Sequence, residues 1–262
     1  MNFDIKKIIS IVKNAAHEEL LPRFTRVDSQ KKLDGSVVTE ADIAMQSRLE
    51  NELLLSYPNT ILLSEEMTSS GQQEALDSGY PIWCLDPLDG TSNFASAIPY
   101  FAVSLSLIVD NEIVMGLVYD PIREECFYAD KNSSAMLNGE VIQIDNDEDN
   151  IDNAIAIIDF KRLENSLSTR LIQEQPFASQ RNFGASALDW CWLVMCRGQI
   201  YLHGKQNIWD YSAGQFIFHK AGGFSSTLEG EAVFRHALEG RSVVAAVNKP
   251  LLNNWLKWIN NE

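Results

Sequence analysis

A chain of 262 residues that is 45% hydrophobic and 22% charged is long enough for one large core or two intimate lobes of an ordinary globular protein. Its net charge of −15 at pH 7 repels polyanions and argues against nucleic-acid binding by a basic stripe. No apolar run approaches the length of a membrane span and no charged-then-apolar leader opens the chain. The expectation is a cytoplasmic protein without membrane attachment. Cys84, Cys126, Cys191 and Cys196 form no Cys-x-x-Cys pair and read as buried, reduced thiols.

Residues 5–21 place Ile5, Ile8, Ile9, Val12, Ala16, Leu20 and Leu21 at helical spacing before Pro22. A second helix is expected over 39–55, with Thr39 at its cap and Asp42 three residues on. That is the pattern of a capping box, worth about 1 kcal/mol. Residues 60–64 read as a strand that delivers Glu65-Glu66 at its end. From 82 to 144 the pattern is mostly β. Strands at 102–109 and 112–119 flank the hairpin signal Asp110-Asn111, another covers 125–129, and Asn138-Gly139 marks a further tight turn. The acidic run 145–152 reads as a solvated loop and as the boundary between an N-terminal lobe (1–146) and a C-terminal lobe (147–262). A strand at 154–159, helical segments at 163–174 and 186–196 and a short strand at 200–203 follow. A helix over 210–221 is ended by Gly222, and a last helix spans 250–259. Antiparallel strands mixed with amphipathic helices predict an α+β layered fold rather than a doubly wound parallel sheet.

The run Trp83-Cys84-Leu85-Asp86-Pro87-Leu88-Asp89-Gly90-Thr91-Ser92-Asn93-Phe94 carries the chemistry. Asp86 and Asp89 can point the same way to hold a divalent cation. Gly90 lets the backbone approach a ligand, and free N–H groups at a helix start suit a phosphate. Asp, Pro, Gly and Asn are also ordinary turn and cap residues. Two further acidic clusters weigh against a plain turn: Glu65-Glu66 after a strand, and Asp210 where Trp209-Asp210-Tyr211-Ser212-Ala213-Gly214 opens a helix closed by Ala221-Gly222-Gly223. Metal plus phosphate is the chemistry of phosphate-ester hydrolysis. A surface this acidic should repel a phosphorylated substrate, and lysines and arginines cluster near the motifs only at Lys31 and Lys32. Bound metal ions are the simplest remedy.

At these residues the chain resembles the inositol monophosphatase family, the lithium-sensitive, magnesium-dependent phosphatase superfamily that also holds fructose-1,6-bisphosphatase and the bisphosphate nucleotidases. Asp-Pro-Leu-Asp-Gly-Thr-Ser-Asn-Phe from Asp86 and Trp-Asp-Tyr-Ser-Ala-Gly from Trp209 are similar to its two signatures. Similar landmarks are Lys32-Leu33-Asp34-Gly35-Ser36-Val37-Val38-Thr39-Glu40-Ala41-Asp42, Gly116-Leu117-Val118-Tyr119-Asp120-Pro121 and Leu137-Asn138-Gly139. The resemblance spans roughly residues 5 to 258. It implies an α-β-α-β-α sandwich, one catalytic unit with its site between the lobes, and a homodimer. Glu65, Asp86 and the Leu88 carbonyl would hold one Mg²⁺, with Asp86, Asp89 and Asp210 holding a second about 3.5–4 Å away. Asp42 would be an outer ligand to a third ion, alongside or instead of its capping role. Gly90 and Thr91 would bind phosphate, and Thr91 with Glu65 would activate water for in-line attack. A haloacid-dehalogenase-type reading fails on the residues, because Leu88 stands where the nucleophilic Asp would be.

The resemblance further implies a small phosphorylated metabolite as substrate. Asp89, Gly90, Thr91, Gly184, Ser186, His203 and Asp210 would line its pocket. Inositol-selective members carry Glu where His203 stands, which puts inositol preference in doubt while leaving the phosphate chemistry untouched. Lys220, where an acidic residue is common, reads as a surface change. Inositol monophosphate comes first among polyol and sugar phosphates. A 3′(2′),5′-bisphosphate nucleotide or histidinol phosphate is the alternative, and a catalytically silent regulatory binding protein is the alternative outside enzymes. Trp190, Trp192, Trp255 and Trp258 read as core or interface packing. His17, His219 and His236 read as structural or exposed.

Overall fold

The structure, a computed structural model, describes residues 3–25, 29–31 and 37–261, with the backbone alone at 29–31 and 37. The Lys32–Ser36 half of the N-terminal landmark, and with it one of the two expected cations, lies outside the described residues. In chain order, α1 (Ile5–Ala15) runs on through a π-helical turn (Ala16–Leu20), and β1 (Ser29–Lys31) pairs with β2 (Val37–Thr39). Then come α2 (Glu40–Ser56), β3 (Ile61–Ser64), α3 (Ser69–Leu76), β4 (Ile82–Asp89) and α4 (Thr91–Ala95). A meander of β5 (Ala102–Val109), β6 (Glu112–Asp120), β7 (Glu125–Asp130), β8 (Met136–Leu137) and β9 (Glu140–Val141) follows. The second half holds β10 (Ile155–Asp159), α5 (Asn165–Glu174), β11 (Ser179–Arg181), α6 (Ser186–Val194) and β12 (Ile200–Gln206). It closes with α7 (Ile208–Lys220), β13 (Phe224–Ser226), β14 (Arg241–Ala246) and α8 (Lys249–Asn260).

Two sheets form from these strands. The larger has the order β3-β4-β5-β6-β7-β8-β9 and is antiparallel except where β3 pairs with β4. The smaller has the order β11-β10-β12-β14-β13, with β10 parallel to both neighbours. Alternation along each strand sends side chains to opposite faces. Trp83, Leu85, Val103, Leu105 and Leu117 pack against Ile8 and Val12 of α1 and Met45 and Leu49 of α2. Cys84, Ala102, Val118 and Phe127 face inward, and so do Ile157, Tyr201, Val243 and Ala245 of the smaller sheet. Between these two faces lie α6 and α7, which are apolar on nearly every side because both flanks are covered. Ala156, Ile158, Leu202 and Val244 turn outward onto Leu171 of α5 and Leu251 and Trp255 of α8. The layer order is α-β-α-β-α, as the resemblance implies. All strands of the larger sheet precede residue 146 and all of the smaller follow it, yet the middle core draws on both.

Most predicted elements stand within a residue or two. Asp110 and Asn111 make the hairpin turn at φ 52° and 63°. The sequence reading passed over β1, β2, α3, β11, β13 and β14. The last is instructive, because β14 sits between β12 and β13 with Val243 and Val244 packing on opposite faces. A strand buried on both sides carries no polar-apolar alternation to betray it. Cys84, Cys126 and Cys191 are buried and free, while Cys196 is half-buried and free. Trp190 and Trp255 lie fully in the core. His17 meets the Tyr119 hydroxyl at 2.9 Å, His219 the Ser225 hydroxyl at 2.8 Å and His236 the Leu76 carbonyl at 3.0 Å, which are structural roles.

Candidate active site

All eight residues of β4 are buried, and the strand ends at the functional run. In an unbroken strand, residues three apart face opposite sides of the sheet. Pro87 has no N–H to give the ladder, and the register against β5 shifts between Asp86 and Asp89. This bulge brings both carboxylates to one cavity. Asp86 Oδ1 accepts the Leu88 N–H at 3.0 Å, tightening the turn. Asp89 Oδ2 accepts the Ala187 N–H at 2.6 Å, so the first motif reaches across and caps α6 of the other half. Gly90 sits at φ 92°, and a Cβ there would stand 3.0 Å from the Tyr100 carbonyl oxygen and 3.1 Å from Ala185 Cβ. Left-handed backbone and close approach together require glycine.

The remaining residues arrive from separate elements. Glu65 follows β3. Asp210 is the third residue of α7, where its Oδ2 accepts the Asn207 N–H at 2.7 Å in a capping box. Gly184 and Ser186 lead into α6, and His203 lies on β12. With Leu88 and Thr91, all of these line a single cavity of about 210 Å³. Asp42 does not. It is buried behind Thr91, with Oδ2 accepting from the Thr39 N–H at 2.7 Å and from the Thr39 hydroxyl at 2.6 Å. The predicted capping box is therefore present. The Thr91 hydroxyl stands 3.0 Å from Asp42 Oδ1 and 2.9 Å from the Leu88 carbonyl oxygen, two acceptors for its one proton. The sequence reading did not assign Asp42 as its partner.

Crowded acidity dominates the electrostatics. Burial pushes the Asp86 carboxyl well above its ordinary range, and the charges of Glu65, Asp89 and Asp210 push it further. Asp210 is raised well above its ordinary range by burial and by Glu65 and Asp89. Burial lifts Asp89 to about 7, against the pull of the Ala187 N–H. No group of three or more His, Cys, Asp or Glu side chains among the described residues is already drawn together as a closed metal cluster. The carboxylates line one cavity and repel one another, so positive charge entering between them relieves an existing strain.

Several contributors were not legible in the sequence. Asn93 Nδ2 donates to the Tyr100 carbonyl at 2.8 Å and the Phe183 carbonyl at 2.7 Å, tying α4 to the loop before α6. Asp159 and His203 are register partners on β10 and β12, with His203 Nε2 3.4 Å from Asp159 Oδ2. His203 Nδ1 accepts the Lys205 N–H at 3.1 Å, which leaves Nε2 to carry the ring proton in the neutral imidazole. Lys161, Arg162 and Lys205 also line the cavity. This corrects the expectation that no cations gather near the motifs beyond Lys31 and Lys32.

Asp189 of α6 lines the cavity too, and its Oδ1 accepts the Tyr100 hydroxyl proton at 3.0 Å. Burial lifts its carboxyl to about 8. A carboxyl raised in the fold holds its proton where the unfolded chain has lost it. It therefore stabilises fully below about 4, and that contribution is lost as pH rises through about 8. Asp189→Asn mimics the protonated form. Its melting temperature is expected to fall less steeply than wild type between pH 5 and 8, a comparison that a pH series of thermal melts makes. Parallel curves would show that Asp189 keeps its charge in the fold.

The chain is similar to known proteins along nearly its whole length. A profile of the inositol monophosphatase family matches residues 3–260. The "Nus factor SuhB" of Pasteurella multocida is 31% identical over 239 residues, covering 88% of this chain and 86% of that protein. The "Fructose-1,6-bisphosphatase/inositol-1-monophosphatase" of Thermotoga maritima is 28% identical over 259 residues, covering 92% and 94%. A solved "IMPase/NADP phosphatase complexed with Mg2+ and phosphate" superposes with a TM-score of 0.83 at 21% identity, covering 98% of this chain and 94% of that one. The match runs through both halves of the cavity and leaves only the extreme ends of the sequence outside it, and the chain belongs to the inositol monophosphatase family.

Proposed function

We propose that this chain is a Mg²⁺-dependent phosphomonoesterase that hydrolyses a small polyol or sugar phosphate by direct attack of water. One observation carries the reading: Glu65 after β3, Asp86 and Asp89 of β4, Thr91 of α4 and Asp210 of α7 line one cavity with Gly90. The donor set fits hard divalent cations, being oxygen throughout, with no sulfur and no imidazole among the proposed ligands. Glu65, Asp86, Asp89, Asp210 and the Leu88 carbonyl would hold them. Bound there, the ions would supply charge neutralisation and water of lowered pKa. The Mg²⁺ and phosphate in the solved IMPase/NADP phosphatase accord with that assignment. Residues 1–146 and 147–262 act as one catalytic unit, because Asp89 and Asn93 of the first bond to the backbone of the second.

The chain's own groups then divide the work. Gly90 and Thr91 offer backbone N–H groups to the phosphate. Glu65 takes the proton of the attacking water, and the Thr91 hydroxyl, held by Asp42, orients it in line. Gly184, Ser186 and His203 border the leaving alcohol. Catalysis is positioning and charge stabilisation without a covalent enzyme intermediate. The deciding experiment is phosphate release from a small panel of phosphoesters with and without Mg²⁺. No release from any member under either condition would leave a binding protein as the function.

His203 supplies a test of the leaving-group side. Glu at 203 alone would face the Asp159 carboxylate, so the charge must be removed there as well. His203→Glu combined with Asp159→Asn is expected to raise kcat/KM for inositol 1-phosphate relative to p-nitrophenyl phosphate, about tenfold for one well-placed polar pairing. An unchanged ratio would make His203 a structural residue.

A further inference from the structure

One buried residue joins the two halves of the cavity and takes no part in the chemistry described so far. Tyr100 stands between α4 and β5 and is 5% exposed. Its carbonyl oxygen accepts from Asn93 Nδ2 at 2.8 Å, and a Cβ on Gly90 would stand 3.0 Å from the same oxygen. On one side, then, its backbone is packed against the turn at residues 90–93. Its side chain goes to the other half. The ring stacks on Phe183, in the loop before α6, with centroids 5.0 Å apart. The hydroxyl donates to Asp189 Oδ1 at 3.0 Å, in the first turn of α6 itself.

That bond belongs to a connected polar chain. Asp189 is 4% exposed, and the Tyr201 hydroxyl bonds the same carboxyl. Gln206 Nε2 donates to the Tyr201 oxygen, which leaves the Tyr201 proton for Asp189. Trp190 Nε1 in turn donates to Gln206 Oε1 at 3.2 Å. Burying polar groups costs free energy unless each finds its partner, so such a chain favours one arrangement of α6 over its alternatives. The consequence falls on Asp89. Its Oδ2 accepts the Ala187 N–H at 2.6 Å, two residues before Asp189 on the same helix. A start of α6 that is free to shift carries the Asp89 carboxylate with it.

We propose that Tyr100 is a positioning residue: through Asp189 it fixes the start of α6, and with it the Asp89 carboxylate, relative to the Gly90–Thr91 turn. It takes no proton from the reaction and sets only a distance. The inference rests on the phosphatase reading for its effect on rate, but not for the clamp on α6 itself. A displacement of about 1 Å between reacting groups can cost about 100-fold in rate. Asn93 and Asp89 still tie the halves together when the Tyr100 hydroxyl is gone, so a smaller loss is expected.

Tyr100→Phe keeps the ring stack and removes only the hydroxyl. Its kcat for inositol 1-phosphate is expected to fall about tenfold, with KM little changed. Asp189→Leu cuts the same bond from the other side and should lose as much. The double variant Tyr100→Phe/Asp189→Leu should lose no more than either, since two residues acting through one contact are not additive. Asp189→Asn keeps the Oδ1 acceptor and should retain most of the wild-type rate. A second arm needs no activity: amide exchange over residues 184–191, read by mass spectrometry, is expected to quicken in Tyr100→Phe and not in Asp189→Asn. Unchanged exchange in Tyr100→Phe would overturn the proposal, and so would a wild-type kcat. Asp189→Asn as slow as Asp189→Leu, or additive losses in the double variant, would mean that the Asp189 carboxylate acts on the substrate directly, and would overturn it as well. If wild type hydrolyses no ester while exchange quickens in Tyr100→Phe, the clamp stands and the catalytic reading falls. Should Asp189→Leu fail to fold, Tyr100→Phe and Asp189→Asn decide the matter between them.

Discussion

Replacing Asp86 by Asn is expected to abolish phosphate release while leaving the fold intact. The amide keeps the Oδ1 acceptor that receives the Leu88 N–H, so the bulge in β4 survives. What goes is the one charge that both proposed cation positions share. In the metal-free protein that charge is a liability, since Asp86 is buried and pressed by Glu65, Asp89 and Asp210. Asp86→Asn should therefore melt no lower than wild type without Mg²⁺, and should lose the stabilisation that Mg²⁺ confers. That gain is about 2.7 kcal/mol for wild type at a concentration 100 times Kd. Differential scanning with a Mg²⁺ titration reads the second effect independently of activity. A variant retaining more than about a tenth of the wild-type rate would sink the shared-ligand assignment, because a tenfold loss is only about 1.4 kcal/mol of barrier. Lithium inhibition follows from the same picture. A small monovalent ion held by Asp86, Asp89 and Asp210 would bring too little charge to steady the departing oxygen, and phosphate release is expected to fall as LiCl is added at fixed Mg²⁺.

Thr91→Ala should cut kcat by about 100-fold or more, within the range that a positioned proton-handling group contributes. KM and the Mg²⁺ concentration for half activation should move little. The physical reason lies in the contact with Asp42. That carboxylate is buried and held by the Thr39 N–H and hydroxyl whether or not Thr91 is present, so removing Thr91 leaves its capping box standing. The hydroxyl itself bridges Asp42 and the Leu88 carbonyl at the floor of the cavity, where it can align water with the bound ester. Thr91→Ser keeps the oxygen and should restore most of the rate. Hydrolysis in ¹⁸O-labelled water should place the label in phosphate with inversion at phosphorus. Trapping a phosphorylated Asp86 or Asp89 would replace direct attack by a covalent route, and a Thr91→Ala variant at half the wild-type rate would remove Thr91 from the mechanism.

What the sequence by itself determined about this protein is what depends on residues a few positions apart. Thr39 and Asp42 spell a capping box, Asp110-Asn111 a tight hairpin, and Asp86 to Thr91 a strand end that stops at a glycine and begins a helix. Each appears in the structure because its physics is a local hydrogen bond or a local backbone preference. The layer order was legible through the resemblance of two short motifs, which also supply the proposed ligand set, and not through periodicity. Tertiary structure alone decided the rest. Asp89 reaches Ala187, Asn93 reaches Phe183, and Asp159 meets His203 only because β10 and β12 run parallel in one register. Parallel neighbours need a long crossover between them, so nothing in the spacing of residues 159 and 203 announces their pairing. The same holds for Lys161, Arg162 and Lys205. Read along the chain they are scattered basic residues of an acidic protein. Folded, they are three positive charges lining the same pocket as a crowd of carboxylates.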